Sequence, residues 1–543
     1  MGLLSWIRKR KGLALAVCLA LSVTMLAGCG GGSKGGGSSA GKKEALTIGM
    51  FNAPDSFNPL FNPGIAGQFT IRFMYDTLLG MPEINKFTPQ LANSIDTTDN
   101  QNFTIKLNEK AKWTDGKPVT ADDVVFTFNL IANPKVETTK GSYINMLEGT
   151  DSVGKRPDGT PIPDLVAVDE HTVTFRTKKP VDPNYLKSML GFEVYIVPKH
   201  VFEKIDPANI SNSDAVTKPT VTSGTYKFVS YKTNDHVELA ANEDYYKGSP
   251  KLKKVFIRIM NGTNLVTELK SGNVQLAASG GIGSVPVKDL DVLKKDNKLI
   301  VKAVPSLNTQ YLEVNNSNPA FNVKFRRAVT MAIDRQKICD ELYKGTAQIV
   351  PTVYTKVSPV YDESVKPLPY DPEAAKKELA ESGFDTSKEI TLQVPIGNVL
   401  REQSADLIQQ NLQAIGLNVK QQKLDFPTVL GNAKKGDYEM MLLGYGLTPD
   451  PDYSNYFVPG GSNNFCHADD PKLTEMMNNA ASLPDAEARK AAYKEIQAYM
   501  RDNQFVTSLY ETDQINVQSK NLVGGIKDFW EGSLDDLYQW HFE

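Results

Sequence analysis

Past residue 43 the chain moves between two hydrophobic rhythms. Phe103-Thr104-Ile105-Lys106-Leu107 and Thr172-Val173-Thr174-Phe175-Arg176 switch between apolar and polar at each step, the period of a strand with one buried face. Thr120-Ala121-Asp122-Asp123 has capping-box spacing, and Val124, Val125, Phe128 and Ile131 follow at helical intervals, which predicts an amphipathic helix. Asp371-Pro372-Glu373 supplies an N-cap, a first-turn proline and a first-turn acid for another helix, which Gly383 can end at positive φ. This interleaving predicts an α/β protein. No repeat of 20 to 50 residues is visible, which sets solenoids and propellers aside. At roughly 100–200 residues per domain, 543 residues imply two to four structural units.

The first 43 residues follow neither rhythm. Arg8, Lys9, Arg10 and Lys11 form a basic start, Gly12 to Leu26 an apolar run too short for a membrane span of about 20 residues, and Leu26-Ala27-Gly28-Cys29 a small-residue processing site. Residues 1–28 therefore read as an export signal. Leu26-Ala27-Gly28-Cys29 resembles a bacterial lipobox, which implies that Cys29 is lipidated and becomes the mature N-terminus. Residues 29–43 continue as a Gly/Ser-rich tether, a flexible coil.

Charge and cysteines narrow the function classes. Without the four basic residues of 1–28 the net charge moves from −3 to −7, and no basic block follows Lys11, so nucleic acid is not an expected partner. Cys339 and Cys466 are too far apart for any metal or redox motif and read as separately buried thiols. His171, His200, His236, His467 and His541 are scattered, and Cys466-His467 alone does not complete a tetrahedral site. Gly280-Gly281-Ile282-Gly283 lacks the spacing of a phosphate loop. No nucleophile, base or metal constellation emerges, so neither an enzyme nor a cofactor is expected.

Several segments resemble the family 5 extracellular solute-binding proteins, the oligopeptide, dipeptide and nickel binders of bacterial importers. They are Pro54-Asp55-Ser56-Phe57-Asn58-Pro59-Leu60, Tyr75-Asp76-Thr77-Leu78-Leu79, Pro89-Gln90-Leu91-Ala92, the run from Lys112 to Val124, Val197-Pro198-Lys199-His200, Asn242 to Gly248, Arg327-Ala328-Val329, Ala332-Ile333-Asp334-Arg335 and Tyr370 to Lys376. Most of these residues are turn, cap and core types, so they mark the family without marking the ligand. The resemblance implies a two-lobed, periplasmic-binding-protein-like fold with an extra inserted domain and two crossover hinge strands. The crossovers are expected near Val304-Pro305-Ser306 and Phe505-Val506-Thr507. Domain I would comprise 44–88, 217–304 and 507–543, domain II the insertion 89–216, and domain III 305–506.

The resemblance also implies a ligand held extended between strand segments of both lobes, through main-chain hydrogen bonds. The matching walls are Phe61-Asn62-Pro63-Gly64-Ile65-Ala66 in domain I and Gly444-Tyr445-Gly446-Leu447 in domain III; an ordinary turn and a buried strand are the alternatives. Many relatives carry an aspartate after the second wall for the peptide's α-ammonium. Here Thr448 stands in its place, and Asp450 and Asp452 either take over the charge or cap a turn. Arg401 is either a ligand contact or a solvated helix-face residue. Tyr311 and Asn315, on an apparent strand, are further cleft candidates. The expected partners are an oligopeptide, the permease subunits of an ATP-driven importer with their ATPases, and the membrane through the lipid, with the protein itself a monomer. An oligosaccharide or nickel complex on the same scaffold is the alternative ligand, and a secreted hydrolase a remoter reading.

Overall fold

The computed structural model describes residues 44–61, 64–529 and 532–543. The signal, Cys29, the tether and Asn62 lie outside the described residues.

The strands expected at 103–107 and 172–176 are Asn102–Leu107 and Thr172–Arg176. With Ala92–Thr97 and Val166–Asp169 they make a four-stranded antiparallel sheet. Phe103, Ile105, Val173 and Phe175 turn into a core shared with Val124, Phe128 and Ile131 of the helix Ala121–Ala132. This unit interrupts a larger, eleven-stranded sheet. The large sheet runs, side by side, through Asn418–Leu424, Glu389–Pro395, Met440–Gly446, Leu299–Val314, Val506–Ser519, Leu276–Ala277, Ala45–Met50, Lys254–Ile259, His236–Ala241 and Tyr226–Lys232. Ala347–Gln348 pairs with Val506–Ser519 off this path. Separate hydrophobic cores lie at its two ends, one around Ile48, Val255 and Leu239 and one around Leu312, Ile390 and Leu442.

Leu299–Val314 and Val506–Ser519 are the two strands that join these halves, and they pair antiparallel with each other in both. Their ladder shifts register twice: a one-residue bulge leaves Leu509 out between Gln310 and Tyr311, and a wider break lies where Val304 faces Gln514 and Asn308 faces Thr512, leaving Pro305–Leu307 opposite Asp513. Proline has no N–H to donate, which suits it to such a break. Val304 and Pro305 stand at the wider break, while Val506 and Thr507 open the second long strand and pair with Glu313 and Leu312.

The family-like motifs are the places where distant segments are tied together. Asp123 is buried, and its carboxylate accepts from the Thr120 N–H at 2.9 Å, the Trp113 indole at 3.3 Å and the Lys199 N–H at 2.8 Å. His200 then meets Asp115 at 2.8 Å. Asp76 accepts from the Tyr245 and Tyr246 hydroxyls at 2.9 and 2.8 Å. Arg335 donates to the carbonyls of Leu368 and, at 2.9 Å, Ser508. Asp371 caps its helix at Ala374, and Gly383 ends it at φ 73°. Cys339 and Cys466 are buried and free.

Candidate ligand-binding cleft

Glu389–Pro395 runs parallel to both Asn418–Leu424 and Met440–Gly446, so all three strands end on one edge, the side of an open α/β sheet where ligands are bound. Pairing between Glu389–Pro395 and Met440–Gly446 stops at Gln393 and Met441. The last residues of Met440–Gly446 therefore have a strand neighbour on one side only, Leu299–Val314. There Gly444 faces Gln310 and Gly446 faces Asn308.

These four residues border a cavity of about 300 Å³ whose other walls are Gly280, Gly281 and Ser284 from one half and Thr512, Asp513 and Gln514 beside the ladder break. The glycines matter for space. A Cβ on Gly444 would lie 2.1 Å from the Gln310 amide nitrogen and 3.0 Å from an Arg401 nitrogen, and one on Gly446 would lie 3.3 Å from Asn308 Oδ1. Arg401 Nε donates to Gln310 Oε1 at 3.0 Å, and its first turn is capped by Asn398. Among the described residues Arg401 forms no ion pair with a carboxylate. Its charge is desolvated by burial, which pulls its pKa down, beside the Tyr510 and Tyr343 rings.

Tyr445, between the two glycines, is half-buried and also borders the cavity. Its ring packs with Tyr311 at 5.1 Å and Tyr456 at 4.9 Å, and its hydroxyl donates to Glu313 at 2.8 Å. Tyr311 is 1% exposed and bonds Thr309. Tyr311 thus lies in the domain interior and is not part of this cavity's lining, whereas Tyr445 borders it. Leu447 is buried with its N–H on Leu307 O. Asn315 is also internal, donating to the Gly436 and Tyr438 carbonyls.

Of the domain I wall, the described residues Phe61 and Gly64–Ala66 form no strand. Phe61 is half-buried, and Gly64, its N–H held by Asp55 at 2.8 Å, leads into the helix Ile65–Ile71, whose first residue is 43% exposed. Asp450 accepts both arms of Arg489, at 2.7 and 3.0 Å, and the Asp452 N–H at 2.9 Å. Asp452 accepts from the Ser454 N–H at 3.1 Å. Both acids are thus engaged in turn caps, and Asp450 in a buried ion pair as well. Thr448 donates to Asp450 O at 3.1 Å.

Asn308, Gln310 and Asp513 were not singled out by sequence, and the loop at Gly280 was read there only as lacking phosphate-loop spacing. The signal was the pairing of polar amides with glycines across two strands, which is invisible until the register is known. Asp513 is the one acid lining this cavity; one of its oxygens is buried without a partner, and burial raises its pKa. Cys466-His467 holds no metal constellation: His467 bonds Ala433 O, and among the described residues no metal-ligating group of three is found.

Beneath the cavity Glu313 is buried, and desolvation pushes its pKa up to about 7, opposed by the Tyr445 hydroxyl. A folded-state pKa raised above the unfolded value means that the fold favours the protonated form. The stabilisation is complete below the unfolded pKa of about 4.3 and is lost as pH rises through about 7. Glu313→Gln is therefore expected to be more stable than the parent at pH 8, by on the order of 3 kcal/mol, with the difference shrinking toward pH 5. Urea unfolding at the two pH values measures this; an equal difference at both would place the proton elsewhere.

The family model for bacterial extracellular solute-binding proteins, family 5, matches residues 86–465. The chain belongs to this family. It is 27% identical to the oligopeptide-binding protein AppA of Bacillus subtilis, over 95% of this chain and 96% of that protein. The structure of AppA in complex with a nonapeptide superposes with a TM-score of 0.74 at 25% identity, over 92% of this chain and 99% of that one. The periplasmic oligopeptide-binding protein OppA of Salmonella typhimurium is 26% identical over 91% of this chain and 92% of its own. The ABC transporter substrate-binding protein CtaP of Listeria monocytogenes gives a TM-score of 0.81 at 27% identity, over 92% and 99%. The architecture is two-lobed, as in these solute-binding proteins.

Proposed function

We propose that this chain captures oligopeptides in the cavity between its lobes and delivers them to the permease of an ATP-driven importer, held to the outer face of the membrane by a lipid on Cys29. The observation that carries the ligand class is the one-sided strand end at Leu442–Gly446 beside the Asn308 and Gln310 amides. An open strand edge and side-chain amides offer donors and acceptors that suit a peptide backbone of any sequence. Relatives described as oligopeptide-binding support the same reading. Arg401, without a carboxylate of its own, is suited to an anionic group of the peptide.

Asp450 is neutralised by Arg489, so it offers no free charge to an α-ammonium. Nonapeptides with free and acetylated N-termini are accordingly expected to bind within about tenfold of each other, or ~1.4 kcal/mol, in calorimetric titration. A hundredfold loss on acetylation that disappears in Asp513→Asn would make Asp513 the anchor. Absence of peptide binding, with thermal stabilisation by a sugar panel or by nickel with histidine, would overturn the peptide reading.

For the anchor, Cys29→Ser is expected to leave a folded protein in the culture medium or soluble fraction, since the lipid supplies the attachment. Retention on membranes after a high-salt wash would remove the lipid from the account. Among the described residues no helix is long and apolar enough to cross a membrane.

A further inference from the structure

Apart from the cavity, one buried ionic cluster joins the inserted four-stranded unit to the half that carries Gly444. Arg489, in the helix Ala486–Asn503, makes two short bonds to Asp450 of its own half, at 2.7 and 3.0 Å. The same Nη1 lies 3.6 Å from Asp182 of the inserted unit, and the guanidinium sits 5.6 Å from the Tyr185 ring centre of that unit. The side chains of Arg489, Asp450 and Asp182 are only 7, 6 and 10% exposed. Nearby, Asn100 reaches the Pro484 carbonyl at 3.4 Å, a second contact between the same two bodies.

We infer that Asp182 and Tyr185 form a reversible clasp with the Asp450–Arg489 pair, which holds the two lobes shut and makes the inserted unit a working part of ligand capture. Two features separate the permanent part from the part that opens. The bidentate bonds lie within one half, whereas the contact across is longer and shares a nitrogen already in use. The contact is also narrow, flanked by cavities of about 190 and 470 Å³ with walls from both bodies. A permanent core boundary would be filled. Asp450–Arg489 is thus preassembled, and Asp182 is the acid that arrives on closure.

The inference rests on the capture reading above, and its test has one arm that does not. Asp182 accepts from the Asn184 N–H at 2.8 Å, a cap that asparagine can keep, so Asp182→Asn removes the charge with the turn intact. Asp182→Lys adds repulsion toward Arg489. In small-angle scattering of the mature, ligand-free chain, the radius of gyration is expected to rise from parent to Asn to Lys variant, with circular dichroism unchanged. Dissociation of a random nonapeptide mixture is expected to quicken about tenfold in the Lys variant. Equal radii and equal dissociation rates in all three proteins would overturn the clasp. Expansion in a chain that binds no peptide would support the clasp and overturn the peptide reading.

Discussion

Gly444→Val is expected to lower affinity for a nonapeptide mixture by about a hundredfold, or ~2.7 kcal/mol, while the melting temperature stays within a few degrees of the parent. The two halves of that result have one cause. The atoms that a new side chain would meet are the Gln310 amide and the Arg401 guanidinium, the far ends of flexible side chains. They can swing away, so the fold absorbs the change. The cavity cannot, because Gln310 and residue 444 itself both border it, so the added methyls take up its space. Calorimetry against the mixture, with scanning fluorimetry for stability, separates the two. A valine variant that binds as the parent does would move the site away from this strand end.

Asp123→Ala is expected to cost about 3–5 kcal/mol of stability, the largest effect of any single polar substitution considered. Its carboxylate is buried and serves the Trp113 indole and the N–H groups of Thr120 and Lys199, so alanine leaves one buried and two half-buried donors unmatched. The helix Ala121–Ala132 also loses the acid at its first turn. Denaturant unfolding followed by tryptophan fluorescence reads this out. A loss under 1 kcal/mol would mean that water replaces the carboxylate.

Asp123 also illustrates what was legible in the sequence. The capping box at Thr120, the alternation at Phe103 and Thr172, and the cap at Asp371 are local signals, and each strand and helix they forecast is present. Local signals do not carry register. Which residues of Leu299–Val314 join Gly444, Tyr445 and Gly446 at the cavity is fixed only by the pairing of Gly444 with Gln310 and of Gly446 with Asn308. Asp450 was ambiguous for a similar reason. Its partner Arg489 is distant in sequence, and a carboxylate read alone gives no sign that its charge is already matched.

The break at Pro305–Leu307 has a mechanical consequence. Apart from the one-residue bulge at Leu509 the two long strands are paired residue for residue elsewhere, so bending concentrates where several rungs are missing. Asn308, Thr512, Asp513 and Gln514 stand on either side of that gap and also line the cavity. A molecule held there is seated on the fulcrum itself. It acts as a splint across the gap, so occupancy and lobe angle become one coordinate, with no relay of side chains needed between them.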